Sequence, residues 1–599
     1  MSTPQISFWR IFWPSLTAII ISSLFSMIFF FLFLGATIGA LSSGFETKKL
    51  KVADNSILHI QLDKPVTDQT KVSFNPMEFK IDGSIGLADL LIGLEEAEKD
   101  PKIKGIYIEL DDLQCGFANL FELRKAIDKF KASGKFVVAY NSGEMISQKE
   151  FLLASVADEN YGFPTSTMEF LGLGAELMFF KNMFSKLSLE MQVIRGENND
   201  FKSAVEPYFL DKMSDSARLQ TERLLNGMWE DYLTAVSESR GVSITDLNDI
   251  AEHSKIRRAS DAVDFKLMDD LKYQDEVFDL LKKKTNKSAS DKLSFVSIDT
   301  YARKKSRERE VLNDAKKANI AVILAEGGID TNGDGIASRK LVLQIREARE
   351  SKDIKAIVLR VNSPGGSALA SEEIWREVSL AQEVKPVIVS MGNVAASGGY
   401  YISAAAQRIF AEPTTITGSI GVFGVIPYTG KMLEEKIGLS FDRASTNAHA
   451  VMTTNRKLTT VEFDVIQEEV NKIYTEFINI VAKGRNLTPE RVNEIARGRV
   501  WTGRDALKIG LVDELGGLND AIKYASNEAK IDTPIVMYYP KRKDDKFMQI
   551  LEAIAEQEEA DKKDSETLTG EAMKIVRSLK EVDKIRGLQM RVPYFIEIN

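Results

Sequence analysis

The sequence predicts an α/β protein made of two tandem copies of one domain, preceded by a single membrane-spanning helix. Three observations lead to this fold class. Runs of β-branched residues alternate with helical stretches of about 15 residues, which is typical of units with a largely parallel sheet. Segments of the first half of the chain recur in the same order about 250 residues later, and a long uncharged run lies near the amino terminus.

The uncharged run comes first along the chain. It extends from Ile11 to Leu41, and these 31 residues include no charged side chain. At about 1.5 Å per residue, a helix of this length exceeds the roughly 30 Å hydrocarbon core of a bilayer. Because the run is also longer than the apolar part of a cleavable signal peptide, we predict an uncleaved anchor. Three lysines follow the run and Arg10 precedes it, so the positive-inside rule alone slightly favours a cytoplasmic catalytic portion.

The repeated segments indicate a duplicated domain, because their period is that of a whole domain. Four pairs carry the similarity: 102–110 with 353–361, 134–140 with 384–390, 228–251 with 473–496, and 257–271 with 499–515. The predicted domains are a membrane anchor over 1–50, a first repeat over 51–290, a linker over 291–315, a second repeat over 316–540 and a polar helical tail over 541–599. The last residues of the tail could add a strand to another subunit.

Composition narrows the possible functions. The net charge of −9 argues against a nucleic-acid-binding protein, for which a basic surface would be expected. The only cysteine, Cys115, excludes an intrachain disulfide and a cysteine-based zinc site. With only three histidines in the chain, a histidine metal site is also not expected. We therefore predict neither a metal nor a cofactor.

The most informative segment extends from Lys385 to Ala406, where a strand ends and a helix of very small residues begins at Ser397. A hydroxyl at such a corner projects beside unpaired helix N–H groups, which favour developing negative charge. A second apolar strand about 30 residues upstream ends in the sequence VNSPGGSA. Its Gly365-Gly366 pair can turn backbone N–H groups toward one point, as an oxyanion hole requires. The combination indicates acyl transfer.

The two copies differ at this corner. Where the second copy has Ala-Ser-Gly-Gly at 396–399, the first copy has Ile-Ser-Gln-Lys at 146–149. The glycine pair of the second copy is also missing from the matching segment of the first, 111–116. We therefore predict that the first copy does not supply a nucleophile.

A serine nucleophile needs a base. Among the histidines only His449, in a polar loop, is a candidate, and its neighbours in sequence offer no obvious carboxylate to orient it. A lysine can serve if burial lowers its pKa from about 10.4 toward 7 to 8, a change worth about 4 kcal/mol. Because lysines are abundant, the residues alone do not choose between a lysine, a carboxylate and His449.

The anchor, the duplicated domain, the NSPGG loop at 362–366 and the ASGGYY segment at 396–401 together resemble the signal peptide peptidase A family, also called protease IV, in its long two-domain bacterial form. The likeness covers about residues 50 to 540. In that family the base is a lysine of the first domain. The matching segment here is NNDFKSAVEPYF, which assigns the role to Lys202. The family pattern also places a serine near the lysine amine, and in the segment TGSIGVFG this is Ser419.

The resemblance has further implications. The family is similar in fold to the Clp protease and crotonase group, and the position of the histidine of the Clp members is Val422 here, consistent with a lysine base. The expected protein is a membrane-anchored serine endopeptidase with a Ser-Lys dyad formed between domains. Its expected substrates are signal peptides and misfolded secreted proteins, and its expected assembly is a homotetramer. The family places the catalytic domains outside the cytoplasm, on the periplasmic side of the bacterial inner membrane.

Two other functions compete with this prediction. A crotonase-like acyl-CoA enzyme would use Gly365 and Gly366 to stabilise an enolate, and it would not depend on Ser397. A non-catalytic membrane scaffold would keep the fold without the chemistry.

Overall fold

A computed structural model describes residues 9, 12–18, 21–27, 29, 52–75, 80–541, 588–591 and 597–598. Residues 12–18 and 21–27 of the predicted anchor are helical, and most of the remaining anchor lies outside the described residues. Within these described ranges, no helix combines the length and the apolar character needed to cross a bilayer. Of the described residues, 52–71, 83–541, 588–591 and 597–598 belong to one compact unit, which contains the two parallel sheets and the candidate site.

The first repeat is built on a sheet whose strands follow one another in βα order. In chain order, the strands of this half of the chain are β1 (Ser56–Gln61), β2 (Val66–Thr67), β3 (Lys71–Asn75), β4 (Lys80–Gly86), β5 (Ile103–Leu110), β6 (Phe136–Asn141), β7 (Met145–Ile146), β8 (Glu159–Gly162), β9 (Thr167–Met168), β10 (Ala175–Glu176), β11 (Glu190–Arg195), β12 (Asp270–Leu271) and β13 (Phe295–Ser297). Its helices are Leu87–Lys99, Phe117–Ala132, Gln148–Ala154, Lys181–Lys186, Glu206–Phe209, Asp215–Arg240, Ile244–Glu252, Ala259–Asp264 and Gln274–Lys284, with a 3₁₀ turn at Ser203–Val205.

The helix Ile298–Lys316 leads into the second repeat, where the same alternation returns. The strands are β14 (Ile320–Glu326), β15 (Ile329–Asp330), β16 (Ile336–Ala337), β17 (Ala356–Ser363), β18 (Gly365–Ser367), β19 (Val387–Ala396), β20 (Arg408–Ala411), β21 (Ile416–Gly418), β22 (Phe423–Tyr428), β23 (Val500–Thr502), β24 (Glu514–Leu515) and β25 (Val536–Tyr539). The helices are Ser338–Glu350, Ala368–Gln382, Gly398–Ser403, Gly430–Met432, Thr460–Arg485, Pro489–Ile495, Gly503–Lys508 and Leu518–Glu528, with a π turn at Leu433–Ile437. Two short strands of the tail follow, β26 (Leu588–Arg591) and β27 (Glu597–Ile598).

The duplication is visible in the order of the strands. The first sheet runs β12-β8-β6-β5-β1-β13, and the second contains the matching series β24-β20-β19-β17-β14-β25. Every neighbouring pair in both series is parallel. The central strands are near-continuous apolar runs, as expected when helices cover both faces of a parallel sheet. Both repeats are therefore α/β domains built on a parallel sheet, as the sequence predicted.

A third, mixed sheet connects the two repeats, and this sheet is what brings the candidate site together. Its order is β11-β22-β26-β18-β15-β16. β11 belongs to the first repeat and pairs antiparallel with β22 of the second, with Glu190 opposite Tyr428 and Arg195 opposite Phe423. The segment that follows β11 is thereby carried into the second repeat.

A buried ion cluster also joins the repeats. Arg360, in β17, is fully buried and lies 2.8 Å from Asp68 and 2.7 Å from Glu122, both of which belong to the first repeat. Its guanidinium also donates a hydrogen bond to Ser390 in β19, at 2.9 Å. Two carboxylates and one guanidinium from distant parts of the chain thus share one buried site.

Candidate active site

Ser397 lies where β19 ends and the helix Gly398–Ser403 begins, at the corner that the sequence predicted. Its backbone has φ 55° and ψ −115°, a conformation that residues other than glycine rarely adopt. The Ser397 N–H donates to the carbonyl of Gly418 at 2.8 Å, and the hydroxyl makes no cap to the helix. The strained corner thus leaves the hydroxyl available for a partner outside its own helix.

The matching serine of the first repeat is used differently. Ser147 has an ordinary extended conformation, with φ −73° and ψ 159°, and it begins the helix Gln148–Ala154. Its hydroxyl accepts a hydrogen bond from the Glu150 N–H, and the Glu150 carboxylate accepts one from the Ser147 N–H. This reciprocal capping box occupies the side chain in helix capping. The geometry agrees with the prediction that this copy supplies no nucleophile.

Lys202 is the group that meets the Ser397 hydroxyl. It lies in the segment after β11, at the start of the 3₁₀ turn Ser203–Val205. Its Nζ is 2.8 Å from Ser397 Oγ, although the two residues are 195 positions apart in the chain. The same Nζ is 2.9 Å from the carbonyl oxygen of Ser419 and 3.0 Å from the Ser419 hydroxyl.

The surroundings of Lys202 favour a neutral amine. The residue is 1% exposed, and burial lowers the pKa of its amine well below the usual value of a lysine. Desolvation is the cause because it disfavours the charged form. The Phe423 ring, whose centroid is 6.0 Å from Nζ, adds an aromatic neighbour. A neutral amine here can donate to the two oxygens of Ser419 and accept the proton of Ser397.

Ser419 contacts the Lys202 amine through two oxygens. Its backbone has φ 51°, and its N–H donates to the carbonyl of Arg499 at 2.6 Å. Its hydroxyl is also 3.4 Å from the carbonyl oxygen of Gly498. Both oxygens of Ser419 therefore face the lysine, which fits the orienting role that the resemblance implies.

The predicted oxyanion loop lies beside the same corner. Gly365 has φ 99°, and its N–H donates to Ser363 Oγ at 3.1 Å. A Cβ atom added to Gly365 would lie 2.7 Å from the nitrogen of Gly398, the residue that follows the nucleophile. Gly366 is the next residue of β18. The backbone amide of Gly398 therefore lies next to the predicted oxyanion loop formed by Gly365 and Gly366. The sequence analysis did not predict this contribution of Gly398.

His449 does not take part in this arrangement. Its ring is 48% exposed and its Nδ1 lies 3.2 Å from Glu462 Oε1. That contact gives it a carboxylate partner, which the sequence did not reveal, whereas the hydrogen bonds of the Lys202 amine go to Ser397 and Ser419. The interaction stabilises the start of the helix Thr460–Arg485, where Glu462 also completes a capping box.

Sequence reasoning also missed Gly498. A Cβ added to this glycine would lie 2.5 Å from the Cβ of Lys202, so the two backbones are in direct contact. Its φ of 78° favours glycine as well. In a single sequence, a glycine between a helix and an apolar strand does not indicate that it packs against a residue of the other repeat.

Comparison with known proteins gives two family matches and several similar relatives. The model of Peptidase family S49 matches residues 129–288 and 379–532, and that of the Clp protease family matches residues 315–416. The chain is 34% identical over 495 residues to the chloroplastic serine protease SPPA of Arabidopsis thaliana, covering 80% of this chain and 70% of the relative. It is 36% identical over 453 residues to protease 4 of Haemophilus influenzae, covering 74% and 72%. A putative signal peptide peptidase SppA of Enterococcus faecium is 36% identical over 241 residues, covering 38% of this chain and 70% of the relative.

The ClpP-like fold, the serine corner and these matches define a serine peptidase. The two family matches fall in different repeats, so the likeness extends over both copies of the duplicated domain. The chain belongs to peptidase family S49, the family of signal peptide peptidase A and protease 4.

Proposed function

We propose that this S49 peptidase is a membrane-anchored endopeptidase that uses a Lys202–Ser397 dyad to cleave signal peptides left after secretion. The observation that supports the dyad most directly is the 2.8 Å contact between Lys202 Nζ and Ser397 Oγ. The burial of the lysine supports it further, because a charged ammonium could not accept the serine proton.

The proposed reaction starts with the neutral amine of Lys202. The amine takes the Ser397 proton as the hydroxyl oxygen attacks the scissile carbonyl carbon. The N–H groups of Gly366 and Gly398 are the donors proposed to stabilise the resulting oxyanion, and the Gly365 N–H can join them once it releases Ser363 Oγ. The Lys202 ammonium then gives its proton to the leaving amine, and water hydrolyses the acyl ester.

Ser419 has a positioning role in this scheme. An amine on four flexible carbons loses conformational entropy when it is held in one place. The two Ser419 oxygens, at 2.9 and 3.0 Å, hold two of its hydrogens and direct the remaining lone pair toward Ser397. Ser419 thereby reduces the conformational freedom that Lys202 must lose before each proton transfer.

The test of the dyad is labelling by a fluorophosphonate, which reacts with activated serines. We expect the wild-type chain to be labelled, and Ser397→Ala and Lys202→Ala to be unlabelled while keeping the wild-type melting temperature. Lys212→Ala, at an exposed lysine of the same region, is the matched control and should label normally. Labelling that persists in Lys202→Ala but disappears in His449→Ala would assign the base to the histidine. Lack of labelling in every form would favour the crotonase-like or scaffold alternatives.

The substrate and location are proposed from the apolar run at 11–41 and from the name of the Enterococcus faecium relative. Digestion of a detergent-solubilised signal peptide, compared with that of a folded protein, tests the substrate class. We expect only the peptide to be cleaved, since both Ser397 and Lys202 are buried. Membrane fractionation of the full chain and of a form lacking residues 1–50 tests the anchor. Protease accessibility of intact cells tests the periplasmic side, and light scattering tests the homotetramer.

A further inference from the structure

A buried glutamine lies behind the segment that carries Lys202. Gln220 belongs to the helix Asp215–Arg240 of the first repeat and is 4% exposed. Its amide nitrogen donates to the carbonyl oxygen of Phe201 at 2.9 Å and to the Ser203 hydroxyl at 2.8 Å. Phe201 and Ser203 are the two sequence neighbours of Lys202. The two hydrogens of one amide therefore hold the chain on either side of the proposed base.

The oxygen of the same amide contacts the second repeat. Gln220 Oε1 accepts a hydrogen bond from the Val500 N–H at 3.2 Å. Val500 lies in β23, opposite Gly418 of β21. Gly418 precedes Ser419, and its carbonyl oxygen accepts the N–H of Ser397. One side chain of the first repeat thereby joins the lysine segment to the strands that position both partners of the lysine amine.

The three contacts are ones that a glutamine makes and that side chains of similar length cannot reproduce. An amide side chain has two donor hydrogens and an acceptor oxygen, and all three have a partner here. Methionine has none of these groups, and an ionised glutamate has no donor. Because a buried polar group without a partner is costly, each contact opposes movement of the lysine segment away from Gln220.

Gln220 and Lys202 also line the same small cavity. Its volume is about 10 Å³, which leaves room for about one water molecule. The other polar side chains that line it are Ser203, Thr221 and Ser419. The close packing on this side is part of the burial that lowers the pKa of the Lys202 amine. If the lysine segment moved away from Gln220, the cavity would widen and water would reach the amine.

We propose that Gln220 is a positioning residue of this peptidase, and that its three hydrogen bonds hold the Lys202 segment against the second repeat and keep water away from the amine. The inference rests on the proposed Lys202–Ser397 dyad. Gln220 takes no part in proton transfer, since its amide contacts the residues on either side of Lys202 and not the reacting atoms. It acts on the reaction through the place and the solvation of the lysine.

The first test applies one substitution to two buried glutamines. Gln220→Met keeps the approximate length of the side chain and removes all three contacts. Gln148→Met is the matched control, because Gln148 is 6% exposed and also has three hydrogen bonds, one to the Gly172 carbonyl and two from the N–H groups of Leu171 and Gly172. Misplacement of a catalytic group by about 1 Å can cost about a hundredfold in rate. We expect Gln220→Met to lower kcat on a peptide by about tenfold or more at unchanged KM, and Gln148→Met to keep kcat within about twofold.

A second readout separates positioning from a loss of stability. The rate of fluorophosphonate labelling follows the neutral fraction of Lys202, and the polar contacts of its amine, Ser397 and Ser419, are uncharged. Water that reaches the amine in Gln220→Met would bring its pKa back toward the usual 10.5, so the rising limb of the rate should move to higher pH by about one unit or more. Partial unfolding would lower the rate and leave the limb in place. Gln148→Met should therefore keep the wild-type limb.

A smaller change keeps the test decisive if Gln220→Met does not fold. Ser203→Ala removes only the contact at 2.8 Å and should move the limb in the same direction by a smaller amount. A limb that stays in place in the folded variant, a normal kcat in Gln220→Met or an equal loss of kcat in Gln148→Met would overturn the positioning role and leave the dyad standing. If the wild-type chain is not labelled at all, the proposed peptidase function itself has failed.

Discussion

Substitution of Gly498 by alanine should disable the site without removing any reacting group. A Cβ at this position would lie 2.5 Å from the Cβ of Lys202 and 2.7 Å from its Cα and its nitrogen. Carbon atoms in ordinary contact are about 3.5 to 4.0 Å apart, so the backbone of Lys202 must move by about 1 Å. A misplacement of about 1 Å at a catalytic group can cost about a hundredfold in rate. We therefore expect Gly498→Ala to lower kcat/KM by about a hundredfold.

The chain offers a matched control for this substitution. Gly510 has φ 82°, close to the 78° of Gly498, so alanine costs about 1–2 kcal/mol of backbone strain at either position. A Cβ at Gly510, however, would meet nothing closer than Leu487 Cδ2, at 3.8 Å. Gly510→Ala should therefore lose only this strain energy in a thermal melt and keep its activity.

The assay is the rate of fluorophosphonate labelling together with kcat/KM on a peptide, both measured well below the melting temperature of each variant. Wild-type activity in Gly498→Ala would refute the reasoning, because it would mean that the contact with Lys202 is not constraining. An equal loss of activity in Gly510→Ala would also refute the reasoning, since backbone strain alone would then explain the effect.

Four further outcomes follow from the site and the ion cluster. Because burial lowers the pKa of Lys202 below its usual value of 10.5, the neutral fraction and hence the labelling rate should rise with pH along a limb centred well below 10.5. Lys202→Arg should abolish labelling at every pH tested, since a guanidinium stays charged. Ser419→Ala removes the 3.0 Å contact to Nζ, a loss of about 1 kcal/mol, and should lower kcat by roughly fivefold to tenfold at unchanged KM in steady-state kinetics. Arg360→Met leaves Asp68 and Glu122 buried without their cation and should lower the free energy of unfolding by about 3 to 5 kcal/mol in a denaturant titration. A flat pH profile, an unchanged kcat or a loss below about 1 kcal/mol would contradict the respective expectation.

Much of the fold could be predicted because its signals are local. The β-branched runs that became β14, β17 and β19 are visible in any window of the chain, and so is the repeated order that reveals the duplication. Ser397 was predicted for the same reason, since a strand end followed by very small residues is a short pattern. The first copy has no glycine at 146–149, and in the structure its Ser147 forms a helix capping box.

The lysine base was predicted by resemblance to a family and by nothing in its own neighbourhood. Lys202 lies in a polar segment whose sequence is typical of an exposed loop. Its burial results from the pairing of β11 in the first repeat with β22 in the second. Desolvation depends on which atoms surround the amine in space, and sequence neighbours do not determine them.

The sequence by itself determined the duplicated α/β architecture, the serine corner and, through the family pattern, the two residues proposed for the dyad. Only the tertiary structure decided that Gly498 supports Lys202, that the Gly398 amide borders the oxyanion loop and that Gln220 joins the Lys202 segment to β23. The reason is physical. Helix and strand formation follows side-chain periodicity over a few residues, whereas β-sheet pairing joins segments hundreds of residues apart through main-chain groups that are the same in every residue.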